Sequence, residues 1–294
     1  MPLRFDDIAN RLKAFRLGSG LSAEEVAKRI GISRTALYRF EKGEVVKIDT
    51  LEKLAELLEV SLPTLLGVGV EYIASALTYF ERTRQIEETA EHIIVLAGPL
   101  SYLLASDAFH AALGAVLKES ITEGSEDRAR AIAEVEEIMA VLTQRKETYR
   151  RRQPAIVNLI AASEITRFLI NGMVGRLDLP EGVRRERRAL ARKEVEYFAT
   201  LLEDEPIGVQ IGIVPETLPH TGFQIFRQPD RQLLSLSPFR LGEEPNVRVG
   251  VAMITSAPEA LALHNRAAEG MWQRALKGAS AAAYLHGLIA RHRE

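Results

Sequence analysis

The chain has 294 residues, 47% of them hydrophobic and 27% charged, with a formal net charge of −2. That length suggests two domains, the apolar share is ample for real cores, and the balance of charge excludes a general polyanion binder. The chain has no cysteine, which excludes disulfides, thiol redox chemistry and cysteine-ligated metal centres.

The charge is uneven: residues 1–47 hold ten Lys/Arg against six Asp/Glu, a local excess that suits an approach to phosphate. Asp6 and Asp7 interrupt the start and no apolar run follows, so no secretory signal is expected. The most apolar run, residues 93–105, is broken by Gly98-Pro99 and is too short to span a bilayer. A cytoplasmic location is the expectation.

Residues 4–17 carry Phe5, Ile8, Leu12 and Phe15 at helical spacing. Ser22 can cap a second helix, and Glu25 three residues later completes a capping box. Val26, Ala27 and Ile30 give that helix one apolar face. Gly31 follows where a helix ends in the left-handed conformation that glycine adopts at low cost. Ser33 can cap a third helix, with Leu37 and Phe40 inward and Ile32 before the cap. Arg34, Thr35, Tyr38 and Arg39 are left on its outer face. Two short helices joined by a glycine turn are the layout of a helix-turn-helix, whose second helix enters the DNA major groove. There an arginine can bind guanine bidentately, and a threonine can meet a thymine methyl or a polar base edge. Asp49 or Thr50 is expected to cap a fourth helix bearing Leu51, Leu54, Ala55 and Leu58. Ser61 opens a fifth, with Pro63 tolerated in its first turn and Leu65 and Leu66 inward. A stop at Gly67 gives a five-helix domain over residues 1–67.

Residues 8–66 resemble the Cro and phage-repressor type helix-turn-helix, the XRE family. The resemblance rests on Leu12-Lys13-Ala14-Phe15-Arg16, on residues 21–31 and 33–43, and on Thr50-Leu51-Glu52-Lys53-Leu54-Ala55 through Val60-Ser61-Leu62. It implies that Ser33, Arg34, Thr35, Tyr38 and Arg39 lie on the recognition helix. Arg34, Thr35 and Arg39 fall where family members most often touch bases, and Ser22 and Lys42 complete the set expected to face DNA. It also implies a structural ion pair between Arg16 and Glu41, and binding as a homodimer to two-fold related half-sites of double-stranded DNA. Ala23 stands where family members often carry a glutamine that touches phosphate, and Gly18-Ser19-Gly20 is looser than usual.

From residue 71, Tyr72, Ala76, Tyr79, Thr83, Ile86, Ala90, Ile93 and Ala97 recur at alternating steps of four and three. That is a seam for two packed helices, so residues 68–98 are expected to form a connecting helix. The seam serves either a dimer or packing on the chain's own C-terminal part. Further helical stretches are expected over 100–117, 126–152, 156–174 and up to about 202. After Pro206, strands are expected at 207–214, 222–226, 233–237 and 247–254, followed by two closing helices, one bearing Trp272. The overall expectation is a mainly α chain: the helix-turn-helix domain, then an α-rich α+β domain with a small sheet over 99–294. This half has a slight likeness to effector domains fused behind XRE modules, which implies regulation and names no ligand.

Catalytic constellations are missing: there is no His-Glu-x-x-His, no phosphate loop and no G-x-S-x-G elbow. The six histidines are scattered, so no metal site and no cofactor are expected. Ala97-Gly98 near Ser101 is the bond type that self-cleaving repressors cut, but its surroundings read as helix and not as the β-rich domain such chemistry uses. Basic clusters at 145–152 and 184–193 read as helix faces balanced by glutamates. The expectation is therefore a non-enzymatic, sequence-specific transcriptional regulator whose C-terminal domain dimerises and senses an unidentified signal. The alternative is an antitoxin or prophage-type repressor controlled by a protein partner.

Overall fold

A computed structural model describes residues 4–122, 124, 126–216 and 222–292. Five helices open the chain: α1 (Phe5–Gly18), α2 (Ala23–Ile30), α3 (Arg34–Phe40), α4 (Ile48–Leu57) and α5 (Leu62–Leu66). Local chemistry sets most of their ends. Ser22 Oγ accepts from Glu25 N at 3.2 Å, and Glu25 Oε2 accepts from Ser22 N at 2.8 Å, which closes the capping box. Gly31, at φ 78°, ends α2 in the left-handed region. Ser33 and Ser61 accept cap bonds from Ala36 and Thr64. The fourth helix departs from expectation. It starts at Ile48 behind Lys47, which makes no side-chain cap bond, and Asp49 instead sits in the first turn, where its charge favours the helix dipole. Leu12, Val26, Leu37, Leu54 and Leu65 are fully buried where the five helices meet.

The rest of the chain builds one seven-stranded sheet with strand order β1-β7-β6-β5-β2-β3-β4. Its strands are β1 (Val70–Ile73), β2 (His92–Leu96), β3 (Ala155–Ala161), β4 (Val209–Val214), β5 (Gly222–Arg227), β6 (Gln232–Ser237) and β7 (Ala252–Thr255). β2, β3 and β4 run parallel, and the other pairings are antiparallel. The helices are α6 (Ala76–Glu87), α7 (Asp107–Glu119), α8 (Arg128–Arg152), α9 (Ala162–Asn171), α10 (Glu181–Asp204), α11 (Pro258–Arg274) and α12 (Gly278–Arg291). Alternation along the strands sorts them into layers. Ile93 and Val95 face one core, while Ile94 and Leu96 face the other, where α11 packs with Ala268 and Met271. A Cβ at Gly212 would lie 2.9 Å from the Ala275 side chain and 3.0 Å from Trp272, so glycine there lets the end of α11 close on β4.

Three expectations are corrected here. The sheet is not small: it has seven strands, and three of them come from the stretch read as helical. Residues 68–98 are not one helix but β1, α6 and β2. Ser75 restarts the chain as the cap of α6, and the run Ile93-Ile94-Val95 suits a strand buried on both faces better than a helix. Every residue of α6 except Arg84 is buried, so the part of the seam on α6 packs within its own chain. The last strand is also shorter than expected. Asn246 donates to the carbonyls of Val249 and Pro238, and Gly250 takes φ 137°, which holds residues 246–250 as a loop.

The N-terminal helices are clamped to this body. α1 lies against α6 in opposite sense: Gln85 Nε2 donates to Asn10 O at 3.0 Å, and a Cβ on Gly18 would collide with Thr78. Beside that contact Glu71 of β1 accepts from Arg11 Nε at 2.6 Å and from Arg82 Nε and Nη2 at 2.9 and 3.0 Å, all three side chains being buried. Arg231 holds Asp7 through a bidentate pair, one bond of 2.8 Å, and Arg4 pairs with Asp230.

Candidate nucleic-acid interface

α3 has seven residues and one buried anchor, Leu37. Ser33, Arg34, Thr35, Tyr38 and Arg39 are exposed on its outer side, and Lys42 is exposed in the turn that follows. Ser22 is exposed too, at the start of the adjacent α2, so every residue of the set expected to face DNA is exposed. Two of its hydroxyls have structural work. Ser22 and Ser33 accept cap bonds, which leaves each O–H proton free to donate to an acceptor such as a phosphate oxygen.

Arg34 and Arg39 are ordered by different neighbours. Arg34 Nη2 donates to the Tyr38 hydroxyl at 3.2 Å, and its guanidinium lies 5.3 Å from the Tyr38 ring centre. That hydrogen bond raises the Arg34 pKa above its ordinary value. Arg39 Nε donates to Glu44 Oε1 at 2.6 Å, a bond that raises the Arg39 pKa and lowers that of Glu44. Glu44 is a residue that the sequence reading missed. Its only signal was an acid five positions after Arg39, a spacing set by the turn after α3 and not by a helix.

Arg16 and Glu41 meet across the unit. Arg16 Nε donates to Glu41 Oε1 at 2.5 Å and Arg16 Nη2 to Glu41 Oε2 at 3.0 Å, with both side chains largely buried. This fork joins the last turn of α1 to the end of α3 and fixes the angle at which α3 is presented.

Several members of the two basic clusters are held by acids of their own chain. Arg145 is buried with two bonds to Glu87, and Arg150 pairs with Asp107. Arg187 pairs with Glu119, and Arg188 with Glu181. The body also holds a cavity of about 540 Å³ between α6, the loop after β2 and the β5–β6 hairpin. Tyr79, Phe80, Gln224, Ser235 and Phe239 are among the side chains that line it.

Residues 12–65 match the family model described as helix-turn-helix. The match covers the unit whose capping box, glycine turn and outward arginines are described above. The match supports a DNA-binding transcription regulator in which these residues form an XRE-type helix-turn-helix head. A comparison with curated proteins finds no match for the chain. Among the described residues, no helix is long and apolar enough to cross a membrane.

Proposed function

We propose that the head reads a specific operator sequence through α3, and that the body controls this reading and does not catalyse a reaction. One observation carries the reading: α3 keeps a single buried anchor and turns Arg34, Thr35, Tyr38 and Arg39 outward together. A helix that served only as packing would not leave two arginines and a tyrosine in solvent along one side. Arg34 and Arg39 contact base edges, Thr35 a thymine methyl or polar edge, and Ser22, Ser33 and Lys42 phosphates. The buried clamp between α1 and α6 supports the second half of the reading. Operator binding alone does not require a head joined to its partner domain through buried charge.

A recognition helix of seven residues spans only about 10 Å, and so meets few base pairs. Two copies acting on two-fold related half-sites would supply the missing specificity, so the reading includes a homodimer. Because α6 packs within its own chain, the two-fold contact must use another surface of the body.

The test measures binding by full-length protein to a site selected from random DNA, and to unselected DNA. Arg34→Ala and Arg39→Ala should each weaken the selected site roughly tenfold to a hundredfold, with a smaller loss on random DNA. Equal losses on both would reduce these arginines to phosphate clamps. A regulator whose DNA binding changes only with a second protein, and with no small molecule, would favour the partner-controlled alternative.

A further inference from the structure

We infer that the cavity in the body binds a small, uncharged molecule with a planar ring and a hydrogen-bonding edge, and that α6 carries its occupancy to the head. The second half rests on the reading of the chain as a DNA-binding regulator, and the first does not. The volume of about 540 Å³ lies in the range of small-molecule sites. The position fits as well. Val95 and Leu96 at the end of β2 and Ala161 at the end of β3 line the cavity, and open α/β sheets commonly hold ligands beyond the carboxyl ends of parallel strands.

The chemistry of the walls selects the ligand class. Tyr79 lies between Phe80 and Phe239, with ring centres 5.5 and 5.8 Å away, so one wall is aromatic. The Tyr79 hydroxyl is 3.0 Å from Ser235 Oγ, and Gln224 Nε2 donates to it at 3.2 Å. Gln224 has a carbonyl oxygen and a second N–H to offer beyond that bond. The charged groups lie beside opposite charges, and Arg240 Nε is a buried donor that a neutral acceptor edge could satisfy. Arg145 is held by Glu87 through bonds of 2.9 and 2.7 Å. Glu164 accepts from Arg167 at 2.9 Å and from Arg240 at 3.1 Å. An ion entering the cavity would lose its hydration and meet charges already spent on each other. A neutral ring with an amide-like edge loses little and can pair with Gln224 and Ser235.

The same helix reaches the head. Tyr79 and Phe80 face the cavity, Arg82 holds the Glu71 carboxylate that also holds Arg11 of α1, and Gln85 donates to Asn10 O. A ligand that bears on Tyr79 and Phe80 therefore acts on an element that clasps α1 within two turns. It changes operator affinity only as far as it prefers one placement of α6, and DNA must change ligand affinity by the same factor.

The experiment uses three probes of one shape on the full chain: 2-naphthamide, its anionic counterpart 2-naphthoate and its cationic counterpart 2-naphthamidine. Calorimetric titration should show the neutral probe binding about tenfold or more tighter than either ion. Val251→Trp, at the exposed edge of the cavity, and Tyr79→Phe, which keeps the ring and removes the hydroxyl, should each weaken it several-fold. Tighter binding of either ion, no binding by any probe, or binding indifferent to both variants overturns the site. With DNA selected from a random pool, 2-naphthamide should shift the affinity of the full chain, and the same shift in Val251→Trp should need several-fold more probe. An unchanged affinity at saturating probe overturns the coupling. Failure to select any sequence overturns the regulator reading and the coupling with it, while the titration still decides the cavity.

Discussion

Arg39 is not free in the unbound head; Glu44 holds it at 2.6 Å on the exposed surface. On the proposed reading, binding a base would break that pair, and the carboxylate left behind would face a polyanion. Glu44→Gln should therefore tighten DNA binding several-fold at low salt, with the gain shrinking as salt screens the repulsion. Fluorescence anisotropy across a salt series checks this, and weaker binding would mean that Glu44 orients Arg39 for readout. The Arg16–Glu41 fork makes a different demand. Its two groups are largely buried, so removing one strands the other without a counter-charge. Arg16→Ala should cost roughly 3–5 kcal/mol of stability, and the double variant with Glu41→Ala should recover part of that loss. Chemical denaturation of the single and double variants measures both quantities, and equal losses for the two would argue against a stranded charge.

At the scale of elements, the decisive contact is α1 on α6. Glu71 sits at its edge with two arginines on one carboxylate. Burial pushes the Glu71 pKa up, but Arg82 and Arg11 outweigh it and hold the group below its ordinary value of 4.5. A carboxylate with a depressed pKa in the folded state contributes stability that is complete above the unfolded value. That contribution is lost as pH falls from about 4.5 through the lower folded value. Glu71→Gln should therefore be less stable than the parent at neutral pH, and its stability should fall less steeply between about pH 6 and pH 3. Denaturant midpoints across that range decide it, and parallel curves for the two proteins would remove Glu71 from the acid response. Asp7 has the same sign: burial opposes ionisation, and Arg231 reverses the effect.

At the scale of the molecule, the head is not an appendage on a flexible joint. β1 follows α5 closely and enters the body's sheet as the neighbour of β7, so the chain leaves the head directly into the body. Two heads would then be spaced by the body–body contact and not by a coiled seam. A dimer should place its α3 helices about 34 Å apart, or a multiple of it, along the DNA axis. Light scattering at micromolar concentration should report twice the chain mass of 32.6 kDa, and a monomer that still protects two half-sites would show assembly on DNA instead.

The sequence by itself determined the head almost completely, because its signals are local. Ser22 with Glu25, Gly31, and Ser33 before Arg34 act within four residues of where they stand, so helix ends and the outward face of α3 could be read in order. The body was misread where spacing alone decided. Tyr72, Ala76, Tyr79 and Ile93 fit a helical repeat, yet Tyr72 belongs to β1 and Ile93 to β2. A strand buried on both faces has no alternation to distinguish it from a buried helix, and its partners lie far away in sequence, as β1 finds β7 and β2 finds β5. The same distance hid the clamp and the cavity. Arg11, Glu71 and Arg82 look like three ordinary surface charges until folding puts them together, and Tyr79 meets Ser235 and Gln224 only because the sheet brings β5 and β6 under α6. Short-range capping chemistry wrote the outward surface of α3 into the sequence; long-range strand pairing and burial of charge decided what that surface is fastened to.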